Sequence, residues 1–187
     1  MDGRLKLDLT ITDRPPAAPD RPAGTRQAWV GGAVDRESRR MIPEPRRWLT
    51  LIEHVGSPDA APPIPGALHD WWLEQVAPGA APSPEGAGGL VLVSMDVDPA
   101  VEEEFNDWYT TEHIPLLSAV PGMIRARRFR ALTGQPAYVA LYHVETTDIY
   151  ATEAWTSANY TPWMLRMRRF QRNRTYFMFH PAEVPQP

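Results

Sequence analysis

The most constraining feature of this chain is the order of elements written into residues 89–181. "GLVLVSMDV" (89–97) is a β-branched apolar run of strand length, and it runs directly into Asp98-Pro99 followed by acids. An N-cap oxygen, a proline at the first helical position and early acidic residues are how a helix begins. "PGMIRARRFRAL" (121–132) and "AYVALYHVE" (137–145) flank the turn "TGQP" and predict a hairpin. Asp148 is placed to cap a helix through "IYATEAW", Thr161-Pro162 starts the next helical stretch, and "RNRTYFMFHP" (172–181) closes as a strand. The resulting βαββαβ order is that of a ferredoxin-like unit, an α+β fold. Tyr176 and Met178 alternate with Phe177 and Phe179 in the last strand, so both of its faces are apolar and a second layer must cover the sheet.

Residues 1–87 are the available cover. Thirteen of the 21 prolines lie before residue 88, and "VAPGAAPSPEGAGG" (76–89) reads as a linker, so the chain divides at 87/88. "RRWLTLIEHVGSPD" (46–59) resembles "PAYVALYHVETTD" (136–148), aligning His54-Val55 with His143-Val144. On this match the first segment is a degenerate copy of the second, with "IPGALHDWWLEQV" expected as a helix. "DRPPAAPDRPAG" (13–24) is too rich in proline for the first helix, so a coil is expected there. An unrelated N-terminal extension is the alternative. With the duplication, one chain suffices for two sheets; without it, two chains pair as a homodimer.

The segments "EFNDWYTTEHIPLLSAVPGMIRARRF", "PAYVALYHVET", "TPWMLRM" and "RNRTYFMF" together resemble the dimeric α/β-barrel superfamily, in particular its EthD-like and related uncharacterised members. The likeness covers residues 89–181 well and the first segment faintly. It implies ferredoxin-like units packed sheet against sheet into a barrel, with a ligand pocket between helix and sheet. The superfamily includes cofactor-free isomerases, cyclases, lyases and monooxygenases as well as haem enzymes, so it sets the fold and leaves the reaction open.

Within the first helix Phe105, Trp108, Tyr109, Leu116 and Leu117 recur at helical spacing as a core stripe, and His113 lies on or beside it. A histidine there either satisfies a backbone carbonyl or a carboxylate, or moves a proton, since its ordinary pKa suits exchange near neutrality. His113 and Tyr109 are therefore the candidate catalytic pair. Trp108, Arg125, Arg127, Tyr138, Tyr142 and His143 are the candidate substrate contacts, with core packing and solvation as the competing roles. Trp155 and Trp163 are expected to seal helices onto the sheet, with a flat ligand pocket as the alternative.

Several classes are excluded or disfavoured. The formal net charge of −4 provides no field for nucleic acid or an anionic membrane, and the arginines at 125–130 and 166–174 read as a solvated face, with anion binding as the minority role. There is no cysteine, hence no disulfide or thiolate chemistry, and no phosphate loop, dinucleotide fingerprint or Gly-x-Ser-x-Gly elbow. The five histidines are dispersed without metal-ligand spacing, so no metal or other cofactor is expected, with haem kept open by the resemblance alone. No apolar run has the length of a membrane span, and the charged N-terminus lacks a signal-peptide pattern, so a cytoplasmic protein is expected. These observations together lead to a cofactor-free acid/base enzyme, an isomerase, cyclase or lyase, acting on a small apolar or aromatic carbonyl compound inside the barrel. A small-molecule-binding or scaffold protein and a cofactor-free monooxygenase are the alternatives.

Overall fold

The computed structural model describes residues 5–15, 25–54 and 62–182. Eight antiparallel strands form a closed barrel: β1 Lys6–Thr12, β2 Thr25–Ala33, β3 Arg47–His54, β4 His69–Ala77, β5 Gly89–Val97, β6 Met123–Thr133, β7 Tyr138–Val144 and β8 Gln171–Pro181. Their order around the barrel is β1-β3-β2-β8-β5-β7-β6-β4. The run β8-β5-β7-β6 is the ferredoxin-like sheet, and β4-β1-β3-β2 repeats that order. Closure, which removes every sheet edge, occurs where β2 meets β8 and β4 meets β6. At the first joint Gly31 is required, because a Cβ there would lie 1.9 Å from the Met178 carbonyl oxygen.

Strict alternation fills the barrel. Leu7, Leu9 and Ile11 of β1, Leu49 and Leu51 of β3, and Leu141 and Phe179 opposite them form one inner cluster with Trp29 and Trp71. The expected helix over "IPGALHDWWLEQV" is instead strand β4. Trp71 and Leu73 point inward while Trp72 points out against His54, a period of two that places the strand between β1 and β6. The His54–His143 alignment does not survive in register either. Glu53, not His54, shares the inward face that His143 occupies, and His54 is bound outside to Asp8 at 2.9 Å. The expected coil over 13–24 falls mostly outside the described residues.

The outer face of β5–β8 carries the helices. Asp98 accepts from the Ala100 amide and Pro99 opens a short 3-10 turn into α1 (Glu102–Trp108). A π-helical stretch, Tyr109–His113, leads to α2 (Ile114–Ser118). Asp148 is not the expected cap: Thr146 starts a 3-10 turn over Thr147–Ala151, and Thr152 caps α3 (Glu153–Asn159) by accepting from the Trp155 amide. Thr161 and Pro162 begin α4 (Pro162–Met167) as their types require. Among the described residues no helix is long and apolar enough to cross a membrane.

Candidate functional site

A cavity of about 390 Å³ lies between these helices and the outer face of the second sheet. The barrel interior, where the sequence led us to expect the ligand, is filled by its own side chains. Val93 and Met95 of β5, Tyr142 of β7 and Tyr176 of β8 form the cavity floor. Trp108, Tyr109, His113 and Leu117 form one wall, and Trp155, Tyr160, Met164 and Arg168 the other. Arg36, Glu37 and Arg39, from the connection between β2 and β3, line it from the first half of the chain.

His113 reaches the cavity because of the widened turn. Pro115 has no amide to return to the Thr111 carbonyl, and the Ile114 amide donates to Tyr109 five residues back. The helix runs on past Pro115 to Ser118. The His113 ring packs 4.5 Å from that of Trp108 and 4.8 Å from that of Tyr109, centroid to centroid. The Trp108 indole N–H is held by Glu112 at 3.1 Å, and Glu112 also accepts from Thr161 at the start of α4.

Three polar groups meet at the inner end. The hydroxyls of Tyr109 and Tyr142 are 3.4 Å apart, and the Tyr142 hydroxyl is 3.3 Å from His113 Nε2. All three side chains are buried. Burial first, and then the Arg128 charge, push the His113 pKa down to about 3, so its imidazole is neutral. Burial likewise raises the Tyr109 phenol and raises that of Tyr142 well above its usual range. With Nε2 unprotonated, Tyr142 donates to His113 and Tyr109 donates to Tyr142. Both contacts are longer than an ordinary O–H···O or O–H···N bond, so a ligand oxygen can replace either partner at little cost.

The remaining candidates are distributed differently. Tyr138 shares the outward face with Tyr142, but its hydroxyl is bound to Glu102 and its ring covers the Arg128 guanidinium at 4.5 Å. Arg125 donates to the Pro82 carbonyl at 2.7 Å, outside the cavity. Arg127 points into the barrel and pairs with Glu53 at 2.7 Å. His143 also points inward, beside Trp29, and among the described residues neither ring nitrogen has a hydrogen-bond partner. A register shift between Met123 and Arg125 explains the arginines: it turns Met123 to the helix side while Arg127 and Phe129 face in.

Sequence reading missed Arg36, Arg39, Tyr150, Tyr160 and Tyr176 as cavity residues, while Arg168 and Arg174 on the wall and Arg128 behind it entered only within arginine clusters whose minority role was anion binding. Arg174 and Tyr176 were legible, since they alternate with inward Phe177 and Phe179 on β8. Arg36 and Arg39 carry no sequence signal, because their loop reaches the cavity only through barrel closure. Among the described residues no three His, Asp or Glu side chains converge as metal ligands.

A family model described as a domain of unknown function (DUF4286) matches residues 90–159, from β5 to the end of α3, and so includes Trp108, Tyr109, His113 and Tyr142. No curated protein matches the sequence. Among solved structures, an anthrone oxidase-like protein aligns over 98% of this chain and 92% of its own, with 14% identity and a TM-score of 0.59. An uncharacterized ferredoxin-fold protein from Listeria monocytogenes, related to antibiotic biosynthesis monooxygenases, aligns over 97% and 96% with 12% identity and a TM-score of 0.57. A major regulator of staphylococcal pathogenesis aligns over 95% and 99% with 10% identity and a TM-score of 0.56. At these identities the likenesses carry the ferredoxin-like fold alone and do not single out EthD-like proteins.

Proposed function

We propose that this protein is an acid/base enzyme that removes a proton from an enolisable aryl ketone or polycyclic phenol bound in the helix-side cavity. The observation that carries this reading is the enclosed Tyr109, Tyr142 and His113 cluster, with a neutral imidazole facing two phenol hydroxyls among aromatic walls. His113 Nε2 takes the proton from the activated carbon, and the electron pair moves onto the carbonyl oxygen. Tyr142, backed by Tyr109, donates to that oxygen as charge develops. A pKa near 3 makes His113 a weak base before the reaction, and an enolate formed beside it raises that pKa as the proton moves. The substrate must therefore be acidic, which is why an aromatic carbonyl compound fits better than an aliphatic one.

The same carbanion is the first intermediate of an isomerisation, a cyclisation or a cofactor-free oxygenation, and the anthrone oxidase-like and monooxygenase-related neighbours favour the last. The low pKa of His113 favours a second reading, a binding protein that holds such compounds without turnover. In either reading the chain works as a pseudo-dimer, residues 1–87 being a degenerate copy of residues 88–187, because β4-β1-β3-β2 repeats β8-β5-β7-β6.

The test uses anthrone as probe in heavy water, with exchange at its methylene followed by NMR and oxygen uptake by electrode. We expect exchange above background, reduced about 10²-fold or more in His113→Gln. Background exchange with anthrone bound would leave the binding protein, and absence of binding would remove the cavity from consideration. Oxygen uptake separates oxygenation from isomerase or cyclase chemistry.

A further inference from the structure

The cavity wall holds more positive charge than the fold needs. Arg36, Arg39, Arg168 and Arg174 line it, and among the described residues none of the four makes an ion pair. The one carboxylate on the wall, Glu37, is exposed and pairs with none of them. Arginines elsewhere on the same surface do find partners: Arg166 binds Glu104 at 3.0 Å and Arg172 approaches Asp98 at 3.7 Å. Carboxylates are thus available nearby and, among the described residues, do not pair with the cavity arginines. Arg36 and Arg174 approach the Tyr176 ring at 5.7 and 6.0 Å, and Arg168 approaches Tyr160 at 5.8 Å, distances at which a ring offsets little of the repulsion between guanidinium groups.

This presentation is built by hydrogen bonds from both halves of the chain. The Val34 amide donates to the Tyr176 carbonyl at 3.1 Å, joining the loop to β8. Asp35 accepts from both the amide and the hydroxyl of Ser38 at 2.7 Å, closing the loop tip, and Arg39 takes a left-handed φ of 56° within it. The Arg39 guanidinium then bonds to Thr156 on α3, tying the loop to the helix side.

We infer that the cavity takes an amphipathic ligand, a flat aromatic body carrying an oxyanion, and that Arg36, Arg168 and Arg174 receive the oxyanion at the mouth. The aromatic body lies between Trp108 and Trp155 with its oxygen toward Tyr142 and His113. This assignment rests on the cavity reading above and specifies its ligand: guanidinium groups pair with carboxylate or phosphate in a fixed fork geometry that neutral esters cannot use.

The experiment is calorimetric titration of the full chain with 6-hydroxy-2-naphthoate and with its methyl ester, at low salt and at 1 M salt. The carboxylate is expected to bind at least about tenfold more tightly than the ester, the worth of one charge-assisted contact, with the advantage shrinking in high salt. The double variant Arg36→Gln/Arg174→Gln should bring the carboxylate down to the ester's affinity while leaving the ester unchanged. Arg36→Glu, at an exposed position, should weaken the carboxylate alone and guards against a variant that misfolds. Equal affinities in the parent protein, or parallel weakening of both probes, would overturn oxyanion recognition while leaving the cavity reading intact. Failure of both probes to bind would overturn both.

Discussion

The barrel interior and the helix-side cavity contain nearly the same chemical parts and arrange them oppositely. Each holds a histidine whose pKa is pushed down to about 3 by burial, and each has arginines and tryptophans beside it. In the interior Arg127 is wholly buried and fully used: Glu53 pairs with it, Gln75 accepts from two of its nitrogens, and Ser83 takes a third. Outside, the arginines lack acids, the hydroxyl contacts are long, and about 390 Å³ is open. A residue type therefore says little about role. Unspent hydrogen-bonding capacity next to space is what separates a site from a core.

The largest effect that can break this comparison is expected at Arg127. Arg127→Met leaves Glu53 buried without its charge partner and should cost about 3–5 kcal/mol in urea unfolding, with much of the loss recovered in Arg127→Met/Glu53→Gln. A cost below about 1 kcal/mol would show that the interior pair is as dispensable as a surface one.

Acid titration comes next. His113 and His143 fall from 6.5 to about 3 on folding, so between those values the unfolded chain binds protons that the folded chain does not. Their contribution is complete above pH 6.5 and drains away as the pH falls toward 3, on the order of a few kcal/mol. His143→Leu should flatten roughly half of that slope and be neutral or stabilising at pH 7, because among the described residues neither ring nitrogen has a partner to lose. An unchanged acid profile would mean that the interior imidazole is not the acid-sensitive group.

The smallest stability effect belongs to the cavity. Tyr142→Phe deletes the hydroxyl between Tyr109 and His113 and should change stability by about 1 kcal/mol or less while lowering anthrone exchange about tenfold. Full retention of exchange would remove Tyr142 from the reaction and leave His113 acting alone.

Local chemistry made the second half of the chain readable. Asp98-Pro99 and Thr161-Pro162 begin helical segments where capping requires, and the apolar runs of β5, β7 and β8 are strands. The stripe through Trp108 and Tyr109 brought His113 into view as its polar exception, and Tyr142 shares the sheet face beneath it. Where reading failed, contacts distant in sequence had decided the outcome. The segment containing Trp71 and Trp72 is short enough to be either helix or strand, and became a strand because β1 and β6 needed a neighbour. Arg125, Arg127 and His143 looked like ligand contacts until a one-residue register shift and the pleat of β7 turned them away from the helices.

What the sequence determined by itself was the ferredoxin-like order of elements, the need for a second sheet, and the aromatic helix that carries His113, because caps, turns and periodicity act within a few residues. Only the tertiary structure decided that one chain closes the barrel, that its interior is filled, and that Arg36 and Arg39 come from the far half to line the cavity. Those outcomes depend on which side of a strand meets which neighbour, and a single bulge or closing joint reverses them without leaving a mark in composition or pattern.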